Sequence, residues 1–301
     1  MLKRKSVAAA ALVATGVLGV AGCSTPRTEV GVPTADAAVV DKAAAACSSI
    51  AAKYPGLKGK TINIGSSPGQ NYYNFIEEAK PDEVIGLEPD LMRTLGKCAG
   101  FTVSYTKIDF DGLIPALSAN RIDAITSGMY ATPERAKKVN FVSYMKAAEA
   151  AVVGKGNPKG IKGLDTLCGT TVAQVTGTVE VEIAAKQNTE CKAAGKPEIT
   201  FLNFTDANQL SQALSGKRAD VFLTDAGVAA YLVKKSPELE KGFDIVSDFK
   251  FGLGVNKANA DLLGAVTDGM KELHTKGELV TIAKKWGFTE EQIVPPVAVT
   301  G

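Results

Sequence analysis

The sequence is poor in histidine and tryptophan, with one of each among its 301 residues. The histidine, His274, lies in an amphipathic run far along the chain from the motifs described below. The sequence therefore offers no histidine near these motifs for a Ser-His-Asp triad or a histidine metal site. Acidic and basic residues nearly balance, at 32 and 34, which leaves no basic surface for nucleic acid. We therefore expect a globular protein of one or two domains that binds neither a metal ion nor nucleic acid.

A phosphate-binding loop is also missing. The string LSGKR at 214–218 lacks both the preceding glycine spacing and the following Ser or Thr of a nucleotide-binding loop. We therefore expect the protein to bind no cofactor.

Long apolar runs are scarce, and the one that stands out lies near the N-terminus. Residues 7–21 contain no charge and follow three basic residues at 3–5. The run is too short to span a bilayer, and its basic start and small-residue end are typical of an export signal. It ends in VAGC, which resembles a bacterial lipobox, so we expect a signal peptide at 1–22, cleavage before Cys23 and a lipid on the Cys23 sulfur. The lipid would anchor the protein outside the cytoplasmic membrane; a chance match to the lipobox is the alternative.

A repeat organises the rest of the chain. The string DFDGLIPALSANRID at 109–123 and the string DANQLSQALSGKRAD at 206–220 agree at seven of fifteen positions. Each has helical apolar spacing and continues into a short apolar strand. Similar helix–strand units in two halves of one chain predict two α/β lobes of the same design, with parallel strands linked by helices.

The repeat also predicts lobe boundaries. We expect the first strand of each lobe at 61–70 and 171–178, and two strands that cross between the lobes at 146–153 and 245–255. Residues 24–34 are small and polar and read as a tether, and residues 35–54 read as an added helix. The predicted segments are 23–54 for the lipid anchor, tether and added helix, 55–148 plus 252–301 for lobe 1, and 153–246 for lobe 2.

Four cysteines remain after Cys23, and export would place them in an oxidising space where an even number indicates disulfides. Four cysteines allow three connectivities. We expect Cys47–Cys98 and Cys168–Cys191, because each pair then lies inside one proposed lobe and leaves the hinge between the lobes free. Free buried thiols are the alternative.

One arginine stands where helix electrostatics disfavour it. In RIDAITSGMYATPER (121–135), Thr132 and Pro133 predict a helix start, which puts Arg135 in the positive first turn. Ligands of open α/β sheets bind beyond the carboxyl ends of strands, and Arg135 can reach that space. Either Arg135 binds a carboxylate or phosphate there, or it forms a surface salt bridge with Glu134 or Asp123.

Taken in order, several strings resemble the extracellular solute-binding proteins of family 3, which serve polar amino acid ABC importers. The resemblance covers roughly residues 60–290. It implies an α/β, two-lobed periplasmic-binding-protein fold (type II), with each lobe a mostly parallel sheet flanked by helices and a two-strand hinge between them. It also implies a monomer that captures an amino acid or a similar zwitterion and delivers it to an ABC permease. The strings are GLEPDL (86–91), DFDGLIPAL (109–117), RIDAITSGM and TPER (121–135), GTTVAQVTGT (169–178), ALSGKRADVFLTD (213–225) and GELVTIAKKWG (277–287).

The resemblance also implies roles for individual residues. Arg135 matches the arginine that pairs with the ligand's α-carboxylate, and Asp225 matches the aspartate that takes its α-ammonium group. Backbone N–H groups at three positions match contacts to the carboxylate, two aromatic residues match packing positions, and three hydroxyl residues complete the predicted set. These residues are Gly128, Gly177 and Thr178; Phe110 and Tyr72; and Ser67, Ser127 and Tyr130.

Two positions depart from the family pattern. Tyr130 stands where a small hydroxyl residue is usual, and Val179 stands where a second threonine is usual. The residues that bind the ligand's α-carboxylate could therefore be arranged differently in this protein than in the rest of the family. A further hypothesis is that Tyr130, Tyr72, Tyr73 and Phe110 form an aromatic pocket for a cationic or N-methylated group.

Two other functions remain open at this stage. Some proteins of this fold are dehydratases, and acid/base chemistry with Asp225 and a lysine is compatible with the sequence. A ligand-sensing surface protein is the third possibility. We expect a binding protein rather than an enzyme, because the sequence lacks the residues of common hydrolytic sites.

Overall fold

The structure is a computed structural model that describes residues 37–69, 73–77 and 80–301. The predicted signal peptide, the lipidation site Cys23 and the candidate ligand residue Tyr72 lie outside these residues. No helix in the described part of the chain is long and apolar enough to cross a membrane.

The strands are short and the helices alternate with them. The strands are β1 (Thr61–Ser66), β2 (Phe75–Glu77), β3 (Lys80–Ile85), β4 (Thr102–Lys107), β5 (Ala124–Ile125), β6 (Asn140–Lys146), β7 (Glu149–Gly154), β8 (Thr171–Val175), β9 (Thr200–Phe204), β10 (Val221–Asp225), β11 (Leu239–Ile245), β12 (Lys250–Val255) and β13 (Ile293–Val299). The helices are α1 (Ala37–Ala45), α2 (Ile50–Lys53), α3 (Leu87–Ala99), α4 (Leu113–Ser118), α5 (Pro133–Ala136), α6 (Val179–Ala193), α7 (Asn208–Ser215), α8 (Ala226–Lys235), α9 (Ala260–Thr275) and α10 (Glu278–Lys285).

Two sheets form the centres of two lobes. The sheet of lobe 1 has the order β13-β6-β12-β5-β1-β4, the sheet of lobe 2 has the order β11-β7-β10-β8-β9, and β2 pairs with β3 in a small separate sheet. In each lobe three strands are parallel, β4-β1-β5 and β9-β8-β10. The remaining strands are antiparallel to their neighbours. The sheets are therefore mixed. The strands that run opposite to the parallel set are β7 and β12, by which the chain enters each lobe after a crossing, and β13.

The chain crosses between the lobes twice, and both crossings lie outside the strands. The first crossing is 147–148, between β6 and β7, and the second is 246–249, between β11 and β12. The Ala147 N–H donates to the Phe249 carbonyl oxygen at 2.9 Å, so the two crossings are hydrogen-bonded to each other. The predicted crossing strands are thus interrupted at the point of crossing. The residue limits proposed for the lobes stay a prediction.

Both copies of the sequence repeat form the predicted helix–strand unit. The first copy contains α4 and leads into β5, and the second contains α7 and leads into β10. Equivalent apolar residues of both helices are buried against the sheets: Leu113, Ala116 and Leu117 in α4, and Leu210, Ala213 and Leu214 in α7. Helical periodicity therefore identified the face of each helix that packs on its sheet.

The added N-terminal segment differs from its prediction. One helix was expected at 35–54, whereas α1 and α2 are separated by a turn at 46–49. Cys47 lies in this turn and is bonded to Cys98 near the end of α3. Adjacent serines at 48 and 49 also compete for backbone hydrogen bonds, which favours a helix break.

Both predicted disulfides, Cys47–Cys98 and Cys168–Cys191, are present. The first ties the N-terminal helices to α3, and the second ties the segment before β8 to α6. Neither disulfide links the two lobes.

Replacing Cys168 and Cys191 together by alanine should lower the free energy of unfolding. The bond closes a loop with a sequence separation of 23, and the chain-entropy model assigns about 3 kcal/mol to a loop of this length. Urea unfolding of oxidised protein at neutral pH measures the loss. Under full reduction the variant and the wild type should differ little; a difference of the same size under reduction would assign the loss to packing instead of the crosslink.

Candidate binding site

A cleft between the lobes lies at the carboxyl ends of β5, β8 and β10. Its empty space, including the open mouth, is about 400 Å³. Six of the predicted site residues line it: Phe110, Gly128, Tyr130, Arg135, Thr178 and Asp225. The other lining residues are Val175, Val179, Glu180, Leu210, Leu223 and Thr224.

Arg135 lies in the first turn of α5, as predicted. The Thr132 hydroxyl caps this helix by accepting from the Arg135 N–H at 3.3 Å. The guanidinium donates from Nη1 to the Tyr130 carbonyl and from Nη2 to the Gly177 carbonyl, both at 3.0 Å. It also lies over the Phe110 ring, 5.5 Å from the centroid. Arg135 is half-buried, and this desolvation lowers its pKa.

The surface salt bridge considered for Arg135 is not formed. Within the described residues, no ion pair joins Arg135 to Glu134 or Asp123, and its guanidinium faces carbonyl groups on both lobes. A half-buried guanidinium that donates to two carbonyl groups is suited to bind an anion in the cleft.

Asp225 ends β10 and caps α8. Its Oδ1 accepts from the N–H groups of Gly227 at 2.8 Å and Val228 at 3.1 Å. Two tyrosine hydroxyls of lobe 1 also donate to it, Tyr73 to Oδ1 at 3.0 Å and Tyr130 to Oδ2 at 3.1 Å. Burial raises the pKa of Asp225 to about 6. Asp225 therefore connects the two lobes, and its Oδ2 has only one of these partners.

The tyrosine at position 130 has a structural explanation. A small hydroxyl side chain could not span from lobe 1 to Asp225, whereas the Tyr130 hydroxyl reaches it. The ring stacks with Phe249 and meets Phe251 edge to face. Val179 is buried in the cleft wall and has no side-chain donor.

The aromatic pocket hypothesis is wrong for Tyr73. This ring is only 2% exposed and packs on Phe251 and Phe288, with centroid distances of 4.4 and 5.0 Å. Phe110 and Tyr130 do line the cleft. Tyr73 acts through its hydroxyl, which holds Asp225, and its faces are covered by other aromatic rings.

Two glycines keep backbone close to the cleft. Gly177 has φ 81°, and a Cβ there would lie 2.9 Å from Cα of Asp111 on the other lobe, so only glycine permits this approach. Gly128 has φ 56°, and its N–H donates to Glu88 Oε2 at 2.9 Å. The Gly128 donor predicted for a ligand carboxylate thus already has a protein partner.

Three further members of the predicted set, Ser67, Ser127 and Thr178, form hydrogen bonds that involve the backbone. The Ser67 N–H donates to Ser127 Oγ at 3.0 Å, and Ser127 is buried. Thr178 Oγ1 donates to the Val175 carbonyl at 2.9 Å, and Thr178 precedes α6. These bonds shape the loops after β1, β5 and β8, and only Thr178 among the three also lines the cleft.

Three glutamates near the cleft were missed as site residues. Glu88 is buried in α3 and accepts from Gly128 N and the Tyr144 hydroxyl; burial raises its pKa to about 7. Glu149, the first residue of β7, is 0% exposed, and neither carboxyl oxygen has a hydrogen-bond partner in the described part of the chain. Burial, followed by the nearby Glu180, raises the pKa of Glu149 to about 11. Glu180 itself lines the cleft.

Within the residues that the structure describes, no group of three or more His, Cys, Asp or Glu side chains is arranged to hold a metal ion. His274 lies at the end of α9 and is half-buried.

Comparison with known proteins identifies the family. Residues 62–290 match the model of the bacterial extracellular solute-binding proteins, family 3. The chain belongs to this family. This solute-binding protein is 30% identical to the arginine-binding extracellular protein ArtP of Bacillus subtilis (strain 168) over 263 residues, 85% of this chain and 96% of ArtP.

Solved structures share the architecture. An ancestral arginine-binding protein bound to arginine superposes with a TM-score of 0.70 at 30% identity, over 76% of this chain and 99% of that one. The ancestral amino acid-binding protein AncCDT-1, a precursor of cyclohexadienyl dehydratase, gives 0.66 at 27% identity, over 75% and 95% of the two chains. The predicted two-lobed type II fold of this solute-binding protein is confirmed, and ArtP and the two ancestral proteins are named as binding proteins.

Proposed function

We propose that this solute-binding protein captures an α-amino acid in the interlobe cleft and delivers it to an ABC import permease. The observation that carries the proposal is the placement of Arg135 and Asp225. A guanidinium from lobe 1 and a carboxyl group from lobe 2 line one cleft, as the two charged ends of a zwitterion require. ArtP and the ancestral protein, both named for binding arginine, support the amino acid assignment.

Each ligand contact follows from the local geometry. The Nη1 and Nη2 groups of Arg135, which donate to carbonyl groups in the structure, would bind the two oxygens of the α-carboxylate. The α-ammonium would bind Oδ2 of Asp225, the oxygen with one protein donor. Phe110 would pack against the ligand. Contacts to both lobes favour the closed arrangement, because the ligand then interacts more strongly with that state than with an open one.

The cellular setting is part of the proposal. A signal peptide at 1–22 and lipidation of Cys23 would hold the protein on the outer side of the membrane. The sequence pattern of the N-terminal region supports this, together with a family described as extracellular. We propose that the protein acts there as a monomer, since a single chain supplies both walls of the cleft.

A panel of free amino acids should raise the thermal stability of the protein in a class-specific way. A ligand at one hundred times its dissociation constant adds about 2.7 kcal/mol to the free energy of unfolding, or several degrees in Tm. The matched controls are the amide and the N-acetyl derivative of each hit, which lack the carboxylate and the ammonium respectively and should not stabilise. If no amino acid raises the Tm, the proposed function is wrong.

A dehydratase-like enzyme is the second candidate. Such an enzyme needs a proton donor beside its substrate, and Glu149, whose pKa is raised to about 11, holds a proton next to the cleft at neutral pH. The similarity to AncCDT-1 favours the same possibility. Mass spectrometry of each hit after prolonged incubation with the protein distinguishes the two: an importer component leaves it unchanged.

A further inference from the structure

The cleft contains more acidic groups than an α-amino acid backbone needs. Three carboxyl groups lie in or directly behind its wall, those of Asp225, Glu149 and Glu180, and one guanidinium, that of Arg135, faces them. A zwitterionic ligand brings one charge of each sign and leaves this excess unchanged. The excess of carboxyl groups over basic groups in the cleft therefore favours a ligand with a further positive charge.

The Glu149 side chain points toward the cleft. In the antiparallel pairing of β7 with β10, Glu149 lies directly opposite Asp225. Side chains of directly opposite residues project from the same face of a sheet. Because Asp225 lines the cleft, Glu149 projects toward it as well, just beyond the first crossing between the lobes.

Glu149 lacks the partners that a buried carboxyl group requires. It is 0% exposed, and both of its oxygens are without a hydrogen-bond partner among the described residues. An unsatisfied buried polar group is costly, and natural proteins keep such groups mainly where they have a role. Because no donor of the described residues is in hydrogen-bond geometry with either oxygen, the position is open to a donor that a ligand supplies.

Glu180 provides the second half of the same site. It is the second residue of α6, lines the cleft and is only 7% exposed. It acts on Glu149 more strongly than any other charged group does, so the two carboxyl groups are close together. Two adjacent carboxyl groups that face one space are suited to a planar guanidinium or an ammonium group.

We propose that the ligand carries a second cationic group, on its side chain, and that Glu149 and Glu180 bind it. This inference rests on the proposed function, because Arg135 and Asp225 fix the amino acid backbone and thereby direct the side chain. The ligand class is the basic α-amino acids, and the two-pronged acidic site favours a guanidinium over a single ammonium.

Ligand capture then displaces a proton. The groups that face Glu149 are Glu180, Asp225, Tyr130 and Arg135, and burial among the acids keeps a proton on Glu149 before the ligand arrives. A bound cation stabilises the ionised form of Glu149, so the proton passes to solvent. A neutral amino acid leaves that proton in place.

Arginine and citrulline provide the matched ligand pair, since they differ in shape very little and citrulline lacks the cation. Calorimetry with the full chain should show arginine binding at least about 100-fold tighter than citrulline, the discrimination expected for charge-assisted hydrogen bonds. Glu149→Gln and Glu180→Gln should each abolish most of this preference while citrulline binding is kept, which also shows that the variants are folded. Glu190→Gln, which changes an exposed acid near the far end of the same helix, should behave as the wild type.

The number of protons released on binding distinguishes an ionic contact with the acidic groups from packing of the ligand side chain alone. Calorimetry in two buffers of different ionisation enthalpy should show about one proton released per arginine near pH 7 and none for citrulline. Citrulline binding as tight as arginine, or an undiminished preference in Glu149→Gln, would overturn the inference and leave the proposed function standing. Failure of every amino acid to bind would overturn the proposed function, and with it this inference.

Discussion

Replacement of Arg135 by methionine is expected to weaken amino acid binding by about 100- to 1000-fold, the cost of losing two charge-assisted hydrogen bonds to a buried carboxylate. Methionine has a similar length and no charge. The variant should remain folded, because the substitution also removes a charge whose partial desolvation is itself unfavourable. Calorimetric titration with the best amino acid from the stability panel measures the loss.

Two further variants make the Arg135 result interpretable. Arg121→Met removes the same charge from an exposed position and should leave the affinity unchanged. Arg135→Lys keeps the charge but lacks the planar fork, so its affinity should lie between those of the wild type and Arg135→Met. Equal affinity of Arg135→Met and the wild type would assign Arg135 to lobe contact alone, through its bond to the Gly177 carbonyl.

The ligand-free protein should be more stable in mild acid than at neutral pH. Folding raises the pKa of Asp225 from 3.8 to about 6 and that of Glu88 from 4.5 to about 7, in both cases chiefly through burial. A carboxyl group with a raised folded-state pKa binds its proton more tightly in the folded state. Its stabilising contribution is therefore complete below the unfolded pKa and is lost as the pH rises through the folded one. Between about pH 5 and pH 7.5 these two groups alone should lower the free energy of unfolding by about 4 kcal/mol.

Glu88→Gln tests this assignment at a residue that does not itself line the cleft. Urea unfolding across the pH range should show that the variant loses more than half of the pH dependence assigned to the two groups, since Glu88 has the higher pKa. Glu149 acts in the same direction. A stability that rises from pH 5 to pH 7.5, as in proteins dominated by surface ion pairs, would contradict the prediction.

The parts of the site that could be predicted are those with a local signature. Arg135 was identified by a charge that conflicts with its own helix, and Asp225 by its place at the end of the strand in the second repeat. Both signals come from within about fifteen residues of sequence, and both residues do line the cleft. The disulfide pairing could also be predicted, because the other two connectivities would have linked different proposed lobes.

The parts that were missed depend on pairings between distant segments. Glu149 and Glu180 are 31 positions apart, and nothing in the pattern around either one fixes the register of β7 against β10 that places Glu149 beside Asp225. The lone glutamate in the apolar run AAEAAVV was the available signal. Likewise, the Tyr73 and Tyr130 hydroxyls meet Asp225 across 152 and 95 positions of sequence, so composition suggested an aromatic pocket where the structure has two hydroxyl donors.

The position of the two crossings determines the order in which the chain can complete its lobes during synthesis. Lys146 at the end of β6 pairs directly with Lys250 at the start of β12, so every strand of lobe 2 is inserted between two neighbouring strands of lobe 1. The sheet of lobe 2 is continuous in sequence and can form once β11 has emerged. Lobe 1 must wait for β12 and β13, the last strand of the chain. The binding cleft is therefore among the last features to form, and an incomplete chain exposes the unpaired edges of β5 and β6 until then.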